Sequence, residues 1–461
     1  MLLSARLDRL PLSRPHMILL LIGGLGYTFD GMDSAVVAFL MPDVKAAFGL
    51  ENSQLGMIAA AAPFGFLFGA LFAGYLGDKI GRKKVMMYAL AVYAIASLVG
   101  ALSGSFEMFL IARIIAGAGA GAESAIIAPF LSEFVPSHRR GWFIGTLAGF
   151  FSFGFVAAAL IGRFVVPAFP EGWRWAQVIT FLPILLLLWW RRKLPESPRY
   201  LLNAGRTEEA EAVVAELEDK VRRATKAELP PIDPNHAPEA APQKFAFMKA
   251  LAFLWGPQMW RVTSVTWIIW FVITFAYYGF FSWIPTLLVS KGLTITTSFT
   301  FSLYIYLAQI PGYFSAAWVN ERLDRKYTIA IYLAGSAISA FWLSQMTEPV
   351  LITLAGIFLS FFLNGTYAGV YAYTPEVFPT WVRATGVGLS SSFGRIGSIS
   401  APLIIGLFAN QWGFVGVFGM TTAVLVVGIV VTLLFALRTA GRSLEDITTA
   451  EVHGGKRARQ F

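Results

Sequence analysis

Gly74-Tyr-Leu-Gly-Asp-Lys-Ile-Gly-Arg-Lys-Lys84 joins two long apolar runs, and a copy of it joins two others far downstream: Gly312-Tyr-Phe-Ser-Ala-Ala-Trp-Val-Asn-Glu-Arg-Leu-Asp-Arg-Lys326. A second pair of related loops lies two runs after each, Ser132-Glu-Phe-Val-Pro-Ser-His-Arg-Arg-Gly141 and Pro375-Glu-Val-Phe-Pro-Thr-Trp-Val-Arg-Ala-Thr-Gly386. Counted outward from these four loops, apolar runs near the 20 residues that cross a bilayer core lie at about 17–40, 54–77, 85–104, 107–131, 142–165, 175–192, 262–289, 298–319, 328–346, 350–373, 383–409 and 413–437. They fall into six and six. Equivalent loops in two six-run halves are the mark of parallel internal repeats, whose shared site lies at their interface near the midplane.

Composition leaves no other solvent for such a chain. Of 461 residues, 56% are hydrophobic and 14% charged, against about 25% charged in soluble domains. Too little polar surface remains to cover a water-soluble fold. The expected architecture is therefore an all-α integral membrane protein of twelve transmembrane helices in two pseudo-symmetric halves. The expected boundaries are 1–192 for the first half, 193–260 for a central linker, 261–440 for the second half and 441–461 for a tail. The linker opens Leu194-Pro-Glu-Ser-Pro-Arg199, continues as an amphipathic, charged helix from Arg206 to about Lys226, and becomes proline-rich from Leu229 to Pro238. A cleavable signal is not expected, because the first run is full length with no small-residue cleavage pattern after it.

The chain has a net charge of +9, which raises nucleic acid as a partner until the basic residues are located. With the N-terminus inside, 18 of the 36 Lys and Arg lie in inner loops and tails, 12 in the central stretch and only four, Lys45, Arg163, Arg174 and Lys291, in outer loops. The positive-inside rule then places both termini in the cytoplasm. Basicity is a topology signal here, and no nucleic-acid partner is expected. There are no cysteines, the four histidines are scattered, and no Gly-x-x-x-x-Gly-Lys-Ser/Thr loop occurs. These absences exclude thiolate chemistry, a histidine metal centre and a primary pump; neither an enzyme nor a cofactor nor a metal is expected.

At these motifs the chain resembles the major facilitator superfamily over nearly its whole length. Gly74-x-x-Gly-Asp-x-x-Gly-Arg-Lys is that superfamily's loop signature, and Pro195-Glu-Ser-Pro-Arg199, Glu133 and Glu376 are similar to the branch of sugar porters, organic ion transporters and bacterial metabolite symporters. Phe29-Asp-Gly-Met-Asp33, Arg113-x-x-x-Gly-x-Gly-x-Gly-x-Glu123 and Ala384-Thr-Gly-Val-Gly388 before Arg395 most resemble aromatic acid/proton symporters and bacterial nicotinate (niacin) transporters. One departure is informative. Sugar porters present a glutamine- and asparagine-rich face on their seventh helix, whereas this chain reads Trp267-Ile-Ile-Trp-Phe-Val-Ile-Thr-Phe-Ala-Tyr-Tyr-Gly-Phe-Phe-Ser-Trp283, with Thr274 and the tyrosine hydroxyls as its polar groups. That face is poorly suited to a polyol.

A charge within a span costs about 2.5–3.5 kcal/mol at a helix centre on insertion scales, so each one present suggests function. Asp30 and Asp33 share a face of run 1, and Arg113 and Glu123 share run 4. At 1.5 Å per residue, Asp33 lies about 24 Å from the inner end of its run and Arg113 about 9 Å from the outer end of its own. Those depths match, and the resemblance implies that both runs line the central cavity. Asp33 and Arg113 are then a proton-coupling pair or a static pair fixing helix packing; Asp30 and Glu123 are the other candidate proton carriers or structural hydrogen-bonding groups.

Arg395 stands about 18 Å into its run, among Ser390, Ser391, Ser392, Gly394 and Gly397, with no carboxylate in the spans of the second half. It is the candidate receptor for a substrate carboxylate, or else a guanidinium bonded to backbone carbonyls. Tyr277, Tyr278, Trp283, Tyr304, Tyr367 and Tyr371 are candidates to stack on a flat ring, and Gln309 and Asn364 to meet a heteroatom; packing is the alternative for each. Gly74 and Gly81 permit close backbone approach, Asp78 and Arg82 belong to the loop signature, and the resemblance implies a cytoplasmic latch in which Glu133 pairs with Arg140 and Glu376 with Arg383. Asn320 replaces the aspartate in the second copy. The function implied is proton-coupled import of a small aromatic or heteroaromatic monocarboxylate by alternating access, through a monomer in the bacterial inner membrane. An organic anion or drug exporter or exchanger of the same fold is the alternative within transporters, and a non-transporting membrane sensor the alternative outside them.

Overall fold

A computed structural model describes residues 3–232, 247–379 and 382–439. The tail expected at 441–461 and the proline-rich part of the linker beyond 232 lie outside the described residues. Among the described residues seventeen α-helices follow one another: α1 Leu3–Asp8, α2 Arg14–Phe48, α3 Asn52–Ile80, α4 Arg82–Ala101, α5 Phe106–Ser132, α6 Ser137–Phe164, α7 Gly172–Thr180, α8 Pro183–Lys193, α9 Pro198–Asn203, α10 Thr207–Thr225, α11 Phe247–Leu254, α12 Trp260–Ser290, α13 Ile295–Leu307, α14 Gln309–Arg322, α15 Arg325–Gln345, α16 Pro349–Glu376 and α17 Arg383–Phe435. Each of the twelve apolar runs is helical, and the fold is all-α.

Eight helices among the described residues are long and apolar enough to cross a membrane by length and composition alone. The remaining runs differ for local reasons. Run 6 is broken into α7 and α8 at Phe181-Leu182, with Pro183 at the first position of α8, where a missing N–H costs least. Run 8 is broken into α13 and α14 at Ala308. Run 1 lies within α2 but carries Asp30 and Asp33, which lower its hydropathy. Runs 11 and 12 are the two arms of α17, which turns at Gly413, where φ is 60° and ψ −169°, a left-handed conformation that glycine adopts freely.

The chain forms two compact units, Met1–Val36 with Ala61–Gln243, and Val37–Ala60 with Lys244–Phe461. In the first, the glycines of run 4 let backbones touch. A Cβ placed on Gly117 would stand 2.2 Å from the Ala62 carbonyl oxygen, and one on Gly121 would stand 2.3 Å from that of Phe66. Small residues at such seams allow packing that lipid-facing side chains do not supply.

The first unit also contains α10, which buries Ala210, Val214, Leu217, Glu218 and Val221, one stripe at helical spacing. Leu3, Leu7 and Leu10 join the same apolar cluster as Val214, Leu217 and Val221. Arg6 donates to both oxygens of Glu218, at 3.1 and 2.6 Å, and Arg9 donates to Oε1 at 2.7 Å. Burial pushes the Glu218 carboxyl up, but the hydrogen bonds and charges of Arg6 and Arg9 outweigh it and hold it below the ordinary value. A carboxyl held down in the folded state contributes stability that is full above its unfolded pKa and is lost as pH falls through the folded one. Hydrogen exchange over residues 3–10, corrected for intrinsic rate, is therefore expected to accelerate below about pH 4. Glu218→Gln is expected to accelerate it at neutral pH, by the equivalent of about 1–3 kcal/mol. Equal protection in the parent and the variant would remove Glu218 as the tether.

Candidate functional site

The first unit assembles its charges around α5. Ser105 caps that helix by accepting from the Met108 N–H at 3.2 Å, with Glu107 in the first turn, both favourable at a helix N-terminus. Two turns on, Arg113 donates from Nη1 to Asp33 Oδ1 at 2.7 Å, and from Nη2 to Oδ2 at 2.9 Å and to the Asp33 carbonyl at 3.1 Å. Both side chains are about 1% exposed. This two-pronged, charge-assisted geometry is the strong form of the pair.

Glu123 is fully buried, and neither of its carboxyl oxygens has a hydrogen-bond partner among the described residues. Gly26 of α2 makes room for it, since a Cβ there would stand 2.5 Å from Glu123 Oε1. Asp30 is also buried. Tyr93 of α4, buried with its hydroxyl unpartnered among the described residues, lies within electrostatic reach of Asp30, Asp33, Arg113 and Glu123. Sequence reading overlooked Tyr93, because an aromatic residue in an apolar run carries no signal of its own. The cluster holds three acids against one guanidinium.

In the second unit, α12 and α17 approach closely enough that a Cβ on Gly397 would meet the Phe271 carbonyl oxygen at 2.6 Å. The Thr274 hydroxyl lies 2.5 Å from the Gly394 carbonyl and 2.8 Å from that of Trp270, so it ties helices together. Arg395, on the same arm of α17, donates from Nη1 to the Tyr278 hydroxyl at 3.3 Å. Tyr277 and Tyr278 stand 5.5 Å apart, Tyr277 and Tyr367 5.0 Å, and Tyr367 and Tyr371 6.1 Å at 27° between planes. The charge of Arg395 reaches Tyr367 and Tyr371. Trp270 packs edge-on to Tyr371 at 5.1 Å and donates to Thr374 Oγ1 at 3.0 Å. Tyr277 donates to Gln309 Oε1 at 3.1 Å.

Three other candidates are placed differently. Tyr304 is 50% exposed on α13; the side chain two positions on, Tyr306, turns inward instead and donates to the Phe281 carbonyl at 2.8 Å, because a helix rotates about 200° in two residues. Trp283 is buried on a face of α12 different from that of Tyr277 and Tyr278. Asn364 donates to the Ser360 carbonyl of its own helix at 2.9 Å.

The loops correct two expected pairings. Glu133 accepts from Arg82 Nη1 and, at 2.5 Å, from Ser197 Oγ, and not from Arg140. Arg140 instead donates to the Ser132 carbonyl at 3.0 Å and weakly to that of Val135. The second half repeats the arrangement. Glu376 pairs with Arg325 at 3.2 Å, and Arg383 donates to the Phe378 carbonyl at 3.3 Å. The physical reason is the same twice: an arginine just past a helix C-terminus meets orphan carbonyls there, which leaves the glutamate to the arginine of the other loop motif. Glu196, which sequence reading left unassigned, accepts from the Lys83 and Ser197 N–H groups at 3.1 and 2.9 Å. Gly81 adopts φ 104°, and a Cβ there would meet Glu196 Oε2 at 2.5 Å. Gly74 is different: nothing lies within 4 Å of a Cβ placed on it, so close backbone approach does not explain it. The side chain of Asp78 lies outside the described residues. Asn320 donates weakly to the Ala368 carbonyl, and Asp324 caps α15 by accepting from the Lys326 N–H at 2.8 Å.

Twelve apolar helical runs with repeated loops, a buried ion pair and a half-buried arginine among tyrosines define a membrane transporter and not an enzyme. The chain belongs to the major facilitator superfamily, within the family described as sugar (and other) transporter, whose profile matches residues 20–450. It is 37% identical to the niacin transporter NiaP of Acinetobacter baylyi, over 96% of this chain and 99% of that protein. It is 26% identical to the 4-hydroxybenzoate transporter PcaK of the same organism, over 90% of each. Among solved structures it is similar to the inward-open xylose transporter XylE of E. coli, with a TM-score of 0.75 and 18% identity over 94% of this chain and 99% of that one; this likeness is one of fold. It is a multi-pass integral membrane protein, and its bacterial niacin transporter relatives place it in the inner membrane.

Proposed function

We propose that this transporter imports a small aromatic or heteroaromatic monocarboxylate, nicotinate or a benzoate-like acid, together with protons, by alternating access of its two six-helix halves. The observation that carries the proposal is Arg395 donating to Tyr278, whose ring belongs to a cluster with Tyr277, Tyr367 and Tyr371. A guanidinium is a two-pronged receptor for a carboxylate, and tyrosine faces suit a flat ring. The niacin and 4-hydroxybenzoate transporters among its relatives handle acids of this kind.

Proton coupling follows from the direction of transport. An interior-negative potential opposes an anion moving inward by about 2.3 kcal/mol per 100 mV, so accumulation needs at least one accompanying proton. The cluster of Asp30, Asp33, Glu123 and Arg113 has more acids than cations, an arrangement suited to taking up a proton. Both termini face the cytoplasm, where the Arg82–Glu133 and Arg325–Glu376 pairs act as latches, and a monomer suffices.

The test is uptake of radiolabelled nicotinate and benzoate by proteoliposomes, with and without an inward proton gradient. Gradient-driven accumulation of either acid is expected. Folded protein that takes up neither acid, yet releases preloaded anions or drugs, would replace this proposal with an exporter or exchanger.

A further inference from the structure

Gln309 is fully buried, and its carboxamide is half satisfied. Oε1 accepts from the Tyr277 hydroxyl, while Nε2 has no hydrogen-bond partner among the described residues. A primary amide nitrogen carries two donors and cannot accept, and a buried donor left unpaired is a group waiting for an acceptor. With Oε1 taken by the Tyr277 hydroxyl, Nε2 is the end left available. A second observation marks the same residue. The eighth run is interrupted at Ala308, so that Gln309 opens α14, with Pro311 two positions on. Ala308 keeps right-handed helical angles and its N–H still reaches the Tyr304 carbonyl; the ladder is interrupted by Pro311, which has no N–H to give the Leu307 carbonyl two residues before Gln309.

Three neighbouring polar side chains already have partners. Thr274 is held by helix backbone, Asn364 by the Ser360 carbonyl and Trp270 by Thr374. Tyr277 itself bridges Gln309 to an aromatic wall, since its ring meets Tyr278 and Tyr367 while its hydroxyl holds the amide. Arg395 donates to the Tyr278 hydroxyl. One wall thus joins a cationic end, aromatic faces and a donor-only amide end.

We infer that Gln309 Nε2 donates a hydrogen bond to the ring nitrogen of a pyridine carboxylate, so that Gln309 sets selectivity for a heteroaromatic acid over its carbocyclic counterpart. This rests on the proposal that Arg395 receives the carboxylate. A pyridine nitrogen offers an in-plane lone pair and no hydrogen, which complements an amide N–H. The C–H at the equivalent position of benzoate offers no acceptor, and binding it leaves the amide unpaired. Discrimination by an unfilled hydrogen bond is more effective than discrimination by size.

The experiment is competition against uptake of labelled nicotinate by the full-length protein in proteoliposomes, using unlabelled nicotinate, picolinate, isonicotinate and benzoate. In the parent, nicotinate is expected to compete at about tenfold lower concentration than benzoate, roughly one hydrogen bond's worth of selectivity. Picolinate and isonicotinate, which move the nitrogen relative to the carboxylate, are expected to fall toward benzoate. Gln309→Leu and Gln309→Glu are each expected to bring the nicotinate-to-benzoate ratio close to one. A parent that does not distinguish the four acids would overturn the inference, as would a Gln309→Leu variant that keeps the parent's preference. The analogue series decides the matter in the unmodified protein if neither variant folds. A parent that takes up no acid at all removes the anion proposal itself, an outcome distinct from uptake without selectivity.

Discussion

Arg395→Ala is expected to reduce uptake of nicotinate and benzoate at least about thirtyfold, since removing one member of a desolvated, hydrogen-bonded charge pair costs about 2–5 kcal/mol. The carboxylate would then enter an aromatic pocket with no cation to meet it, and its desolvation would go uncompensated. Arg395→Lys is expected to restore part of the activity. It keeps the charge but loses the planar fork that grips two oxygens and the reach to the Tyr278 hydroxyl. Size-exclusion elution and helical circular dichroism should match the parent, because the Arg395 bond to Tyr278 is long, at 3.3 Å. Uptake unchanged in Arg395→Ala would refute the anion site.

The second large effect concerns the pair in the first unit. Asp33→Asn leaves the Arg113 guanidinium buried without its countercharge, which typically costs about 3–5 kcal/mol. Thermal unfolding in detergent should therefore occur at a lower temperature. Replacing both partners, as Asp33→Asn with Arg113→Gln, is expected to recover stability, because the uncompensated charge is gone. Transport is expected to respond differently. Asp33→Asn is expected to abolish gradient-driven accumulation, and the double variant is expected not to restore it, since the titrating group is still missing. A static packing pair predicts the opposite, with accumulation returning alongside stability. Accumulation retained by folded Asp33→Asn would assign proton coupling to Glu123 or Asp30.

Much of this was legible because membrane insertion imposes simple rules. Twelve runs, their repeated loops and the placement of Asp33 and Arg113 at matching depth follow from hydropathy, the positive-inside bias and the rise of a helix. The glycines of Arg113-x-x-x-Gly-x-Gly-x-Gly have their reason in close contacts, Gly117 and Gly121 with Ala62 and Phe66 and Gly119 with Ala89 and Tyr93. Loop partners were harder to read. Glu133 and Arg140 stand seven residues apart, yet Arg82 takes the glutamate and Arg140 takes carbonyls. Sequence proximity ranks candidate partners, whereas the geometry of a helix end decides which donor meets which acceptor.

The sequence by itself determined the solvent, the number of spans, the internal repeat and the short roster of buried charges, because each is set by transfer energy and periodicity along one dimension. Only the tertiary structure decided that Tyr306 turns inward and Tyr304 outward, that Tyr93 joins the acids, and that Tyr277 holds one end of Gln309 and leaves the other unpaired. Those outcomes depend on rotation about helix axes and on close approach between segments far apart in the chain, and no local pattern encodes either.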